Sequence, residues 1–128
     1  MFLHLKYGIS PITAPVAFGW GGWSFSFLFK DSLGYEFTLL SKRLYEKAKE
    51  QNYTFNHSAV ELSLFLGSLY GTTLRISIAH LEEGYKYGML NGECLFGPYC
   101  TYSWGFVLTA NGIEYSKSIV KLRKIIEV

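Results

Sequence analysis

The sequence predicts a protein of the α+β class, and three patterns carry that prediction. Residues 58–84 repeat apolar side chains at the three- and four-residue spacing of two amphipathic helices joined by a tight turn. Residues 88–108 have the composition of two strands around a turn centred on Gly97 and Pro98. Residues 23–29 carry an aromatic side chain at every second position, which is the period of a strand.

The helix pair is expected to begin at Ser58. Ser58 and Glu61 have the spacing of a capping box, in which each side chain binds the backbone N–H of the other residue. Thr72 or Thr73 is expected to cap the second helix, and Gly84 is expected to end it. The side chains expected on the outer face of that second helix are Thr73, Arg75, Ile76, Ala79 and His80.

The helix pair resembles that of the winged-helix transcription regulators, such as repressors of the multiple-antibiotic-resistance and phenolic-acid-decarboxylase types. The matching residues are Glu61, Leu62, Leu66, Gly67, Thr73, Leu74, Ile78, Leu81 and Glu82. A second match lies at Leu108, Thr109 and Gly112, where the family ends its wing and caps a closing helix. The resemblance implies a winged helix over residues 36–128, with a three-helix core, a β-hairpin wing and a C-terminal helix.

Residues 1–35 are expected to form an extension ahead of this domain, an aromatic β-hairpin. Its strands would span residues 16–20 and 23–29, joined through Gly21 and Gly22, with a further strand-like stretch at residues 2–7. The hairpin is either simply half-buried or a face for dimerisation or partner binding. Within the domain, helices are expected over residues 36–51 and from Ala110 towards Val128.

Composition places the chain among single globular domains. Its 128 residues are enough for one core, and charged residues make up 17%, below the roughly 25% of an average domain. Some aromatic surface is therefore expected to remain for a partner or for self-association. No apolar run approaches the ~20 residues of a membrane span, and the first residues lack a secretory pattern. The chain is expected to be intracellular, in the cytoplasm, with no membrane partner.

No pattern indicates an enzyme, a metal site or a cofactor. The sequence shows no nucleophile beside a base and no histidines at ligand spacing, since His4, His57 and His80 are far apart. Cys94 and Cys100 would stand opposite each other in the wing if residues 96–98 form its loop. They either form a disulfide bond or remain reduced thiols, as is usual inside cells.

The resemblance implies a homodimeric DNA-binding regulator that places a recognition helix, residues 72–83, in the major groove of double-stranded DNA. Arg75 is expected to contact a base, or else is simply an exposed helix residue. The residues expected at DNA are Thr72, Thr73, Arg75, Ile76, Ala79, His80, Lys86 and Tyr99.

The charge pattern supports a second hypothesis. The net charge is only +2, and the wing tip offers apolar side chains where the family often has Arg or Lys. A wing without cations gains little from phosphates. The alternative is a winged helix that binds a protein partner through its aromatic hairpin and wing, without binding DNA.

Overall fold

The computed structural model describes residues 1–54, 56–110 and 115–126, which form seven helices and no strand. The helix α4 is central, with α2, α3, α5 and α6 packed around it, and α7 packs on α6. Within this part of the chain, no helix combines the length and the apolar character needed to cross a membrane. The helices are α1 (Phe2–Tyr7), α2 (Ala14–Phe29), α3 (Leu33–Glu50), α4 (His57–Ser68), α5 (Leu74–Leu90), α6 (Phe96–Ala110) and α7 (Tyr115–Ile126).

The prediction of an α+β fold is wrong, and the aromatic hairpin is the first of its parts to fail. Gly19, Gly22 and Ser26 are buried on one face of α2, at the spacing of a helix. They allow close packing, because Gly22 lies directly against Gly34 of α3. The aromatic rings that alternate along the sequence instead pair four residues apart, as Phe25 and Phe29 do with centroids 4.7 Å apart.

The predicted wing is also helical. Pro98 lies in the first turn of α6, where a helix loses nothing by the missing N–H. Gly97 is buried against Met89, so the Gly-Pro pair opens a helix rather than turning a hairpin. Leu108 and Thr109 lie in the last turns of α6, where the Thr109 hydroxyl donates to the Gly105 carbonyl at 3.0 Å. Their predicted roles in a wing and cap are therefore wrong, and Gly112 lies outside the described residues.

The central helix α4 is capped from outside the helix pair. The Glu93 carboxylate accepts the backbone N–H groups of His57 at 2.6 Å and Ser58 at 2.8 Å. Negative charge at a helix N-terminus satisfies free N–H groups and complements the helix dipole. The predicted capping box does not form, because the Ser58 hydroxyl donates to the Gly84 carbonyl at 2.7 Å. Glu61 is free to bind side chains of other helices.

Four predicted helices are present with altered bounds, and the first helix of the pair is α4, which begins at His57. The helix expected over residues 36–51 is confirmed as α3, and the closing helix is confirmed over Tyr115–Ile126. The second helix of the pair begins after Thr73 as expected but continues six residues past Gly84. Gly84 is there for packing rather than termination, because a Cβ atom at this position would meet Cys100 and Glu61.

Gly34→Ala tests the close approach of α2 and α3. A methyl group at Gly34 would overlap the Ser26 side chain and the Gly22 carbonyl oxygen, a backbone atom that cannot rotate away. The free energy of unfolding should therefore fall by about 1–3 kcal/mol, measured by urea denaturation. Gly21→Ala is the control, since its methyl group would meet only Met1, at 3.4 Å, and should be neutral or stabilising. Equal losses in both variants would contradict this packing.

Candidate functional site

The described core contains one concentrated group of ionisable side chains, here called the Glu61 cluster. It draws one residue from α3, two from α4 and two from α5, helices that pack against one another. Glu61 is fully buried at the centre of the fold, an unusual place for a carboxylate. The members of the cluster are Lys42, His57, Glu61, His80 and Glu83.

Each oxygen of the Glu61 carboxylate has its own hydrogen-bond donor. The Lys42 ammonium donates to Glu61 Oε1 and also to Glu83 Oε1, the second at 2.7 Å. His80 Nδ1 donates to Glu61 Oε2 at 2.8 Å, which fixes the tautomer or charge of that ring. A buried carboxylate is tolerated only when such partners replace its hydration, so α3 and α5 both stabilise the charge on α4.

His57 faces the two carboxylates without bonding to them. Its side chain is 3% exposed, and its ring packs between Tyr45 and Tyr87 with centroids 4.9 and 5.3 Å away. Its Nε2 atom lies 3.8 Å from Glu61 Oε1 and 3.5 Å from Glu83 Oε1, and it has no hydrogen-bond partner. These separations exceed those of ordinary hydrogen bonds, so a buried ring nitrogen is directed at two carboxylate oxygens and left unused.

The electrostatics of the cluster keep both Glu83 and Lys42 ionised. Burial alone would lower the pKa of Lys42, but the charges and hydrogen bonds of Glu61 and Glu83 outweigh burial and raise it. Burial would likewise raise the pKa of Glu83, but the Lys42 hydrogen bond and charge outweigh it and lower the pKa. Burial lowers the pKa of His57 despite the opposing charge of Glu61, so its imidazole is neutral at pH 7.

This geometry is close to that of a metal site. One ligand atom each from His57, Glu61 and Glu83 lie within 4.8 Å of one another. Two ligands about 2.1 Å from a tetrahedral ion are about 3.4 Å apart. The separations of His57 Nε2 from the two Oε1 atoms, 3.5 and 3.8 Å, are within a few tenths of an ångström of that value, and all the ligand atoms lie within 4.8 Å of one another. A neutral imidazole and two carboxylates are suitable kinds of metal ligand, although the Lys42 ammonium bonds both Oε1 atoms in this structure.

Sequence reasoning missed this cluster because it compared histidines only with one another. His57 and Glu61 are four residues apart on α4, and His80 and Glu83 are three residues apart on α5. Both spacings place two side chains on the same face of a helix. A His–Glu pair on each of two consecutive helices was the available signal.

Seven of the eight residues predicted at DNA lie on α5 or directly before it, and one of these seven is engaged in the core. The predicted outward orientation of His80 is wrong, because its side chain is only 18% exposed and bonds Glu61 Oε2. Tyr99 is exposed on α6 rather than on a wing. Arg75, Ile76, Ala79 and Lys86 are exposed along α5, with Thr73 at its N-cap and Thr72 just before it.

The two cysteines are free thiols in the structure. Cys94 is exposed in the turn before α6, and Cys100 is buried within α6. The hairpin register that would have set them opposite each other does not exist in a helix. Burial raises the pKa of the Cys100 thiol to about 12, which disfavours the reactive thiolate.

An apolar pocket of about 850 Å³ lies between α5, α6 and α7, away from the Glu61 cluster. Its polar groups are hydroxyls, and no charged side chain lines it among the described residues. Its lining residues are Tyr85, Met89, Pro98, Thr101, Tyr102, Gly105, Phe106, Thr109 and Leu122. Ionic chemistry is therefore concentrated at the Glu61 cluster and not in this pocket.

Comparison with known proteins gives no relative from which a role could be transferred. The sequence matches no family model, and no curated protein and no solved structure is significantly similar to it.

Proposed function

We propose that this protein binds a divalent metal ion at the Glu61 cluster, with His57, Glu61 and Glu83 as ligands. The observation that carries the proposal is the buried Nε2 atom of His57, which faces two carboxylate oxygens at 3.5 and 3.8 Å and bonds to neither. His80 supports the site by holding Glu61 Oε2, so that Oε1 is the oxygen on the side of His57 and Glu83. Such outer hydrogen bonds orient metal ligands.

The ligand set indicates a first-row transition metal. Imidazole nitrogen favours zinc, iron, cobalt or nickel, whereas calcium and magnesium prefer sites made of oxygen alone. Three protein ligands leave at least one coordination position for a small exogenous ligand. The site has a route to solvent on one side, because the Glu83 side chain is 39% exposed while those of His57 and Glu61 are buried.

Glu83→Gln tests the site directly. The amide keeps the size of the side chain but removes an anionic ligand, so affinity for Co²⁺ should fall at least tenfold. The measurement is a Co²⁺ titration of the purified, chelator-treated full chain, followed by visible absorbance, which also reports coordination geometry.

Glu82→Gln is the matched control for this titration. Glu82 neighbours Glu83 on α5, but it is exposed and does not belong to the cluster. Its variant should bind Co²⁺ with the affinity of the unmodified chain. The proposal fails if the unmodified chain does not bind Co²⁺, or if both variants bind as tightly as the unmodified chain does. Circular dichroism of each variant confirms that its helices are retained.

DNA binding through α5 is a second candidate function. The observation that favours it is the exposed outer face of α5. Arg75 and Ile76 are adjacent on this face, and Ala79 lies one helical turn further along. The same face carries Glu82 beside Lys86, so its charge is mixed and its attraction for phosphates is modest. The homodimer and the protein partner expected from the sequence stay predictions.

A gel-shift assay at low ionic strength tests this second candidate. Arg75→Ala should remove sequence preference among mixed duplex fragments and weaken retention of the preferred one if α5 enters the groove, because the guanidinium can bond a guanine at two points. Arg43→Ala removes an exposed cation from α3 instead and should leave retention nearly unchanged. If the duplex fragments migrate unshifted at every protein concentration, DNA binding through α5 is excluded.

A further inference from the structure

The Lys42 ammonium lies where a cation is needed. Its Nζ atom bonds Oε1 of Glu61 and Oε1 of Glu83, the same two oxygen atoms that face the unbonded nitrogen of His57. His57 Nε2 and the two Oε1 atoms therefore lie close together, and the positive charge beside them is that of Lys42. A metal ion and an ammonium that both bridge these two oxygens would lie within a few ångströms of each other, and the repulsion between the two cations opposes their binding at the same time.

Lys42 already has a third, more distant carboxylate partner, whose other oxygen pairs with Lys49 at 3.3 Å. Glu46 lies one turn further along α3, and its Oε1 atom is 3.7 Å from Lys42 Nζ. The Glu46 side chain is about half exposed, and that of Lys42 is about a quarter exposed. Rotation about the flexible lysine side chain can thus carry the ammonium from the buried carboxylates to Glu46 without moving α3.

We infer that Lys42 is an internal substitute for the metal ion, displaced towards Glu46 when the ion binds. This inference rests on the proposed metal site and adds its regulation. In the metal-free chain the lysine neutralises Glu61 and Glu83, which lets the helices pack before any ion is present. In the metal-bound chain the ion takes over that role. Lys42 therefore sets the affinity of the site by competition.

Lys42→Met measures the competition. Methionine keeps an unbranched apolar side chain of similar length and removes the charge, so the affinity for Co²⁺ should rise at least tenfold over that of the unmodified chain. Lys47→Met is the control, because Lys47 is exposed on the same helix and outside the cluster. If Lys42→Met is unfolded without metal, recovery of its helical circular dichroism on adding Co²⁺ gives the same support.

A second measurement uses the unmodified chain. Brief acetylation with an amine-reactive ester, followed by peptide mass spectrometry, should show Lys42 labelled several-fold more at saturating Zn²⁺ than without metal. Labelling of Lys47 should not change.

The outcomes separate the two proposals. Displacement of Lys42 is overturned if the unmodified chain binds Co²⁺, Lys42→Met binds it no more tightly, and the labelling of Lys42 does not change with metal. The metal site itself would then remain supported. Absence of Co²⁺ binding in both the unmodified chain and Lys42→Met would overturn the metal site itself.

Discussion

The structure depends on how the buried carboxylate of Glu61 is neutralised. Glu61 has no exposed surface, and it lies on α4, which α2, α3, α5 and α6 surround. Removing a carboxylate from water costs several kcal/mol unless charged and hydrogen-bonding partners replace that water. Lys42 and His80 supply those partners from two different helices. The bonds from Lys42 and His80 therefore stabilise the buried charge of Glu61 and also bring the residues of the candidate site together.

Short side chains make these contacts reachable. A Cβ atom at Gly84 would meet the Glu61 side chain and Cys100, and one at Gly88 would meet Ser58. The backbone of α5 can therefore approach α4 closely enough for His80 and Glu83 to reach the carboxylate. Larger residues at these glycines would separate the helices and open the cluster. The close packing at glycine and serine and the polar contacts of the core therefore both depend on the short distance between α4 and α5.

The sequence predicted the helices whose apolar spacing is regular, and it failed where glycine carries the packing. The sequence indicates turns at Gly22 and Gly97, yet each lies within a helix against a close neighbour. The aromatic alternation of residues 23–29 equally fits pairs four residues apart, so periodicity alone could not decide. The His–Glu spacings were visible in the sequence. The contact between Lys42 and Glu61, which are 19 residues apart, depends on how α3 packs against α4, and no local sequence pattern predicts it.

The most direct test of this account is a crystal structure grown with Co²⁺ and a map of its anomalous scattering. If the ion displaces Lys42, the map should show a strong peak about 2.1 Å from His57 Nε2, Glu61 Oε1 and Glu83 Oε1, with the Lys42 ammonium turned to Glu46. The proposed site is contradicted if the cluster is well ordered, Lys42 still bridges the two carboxylates, and the anomalous peak is absent or lies at exposed residues.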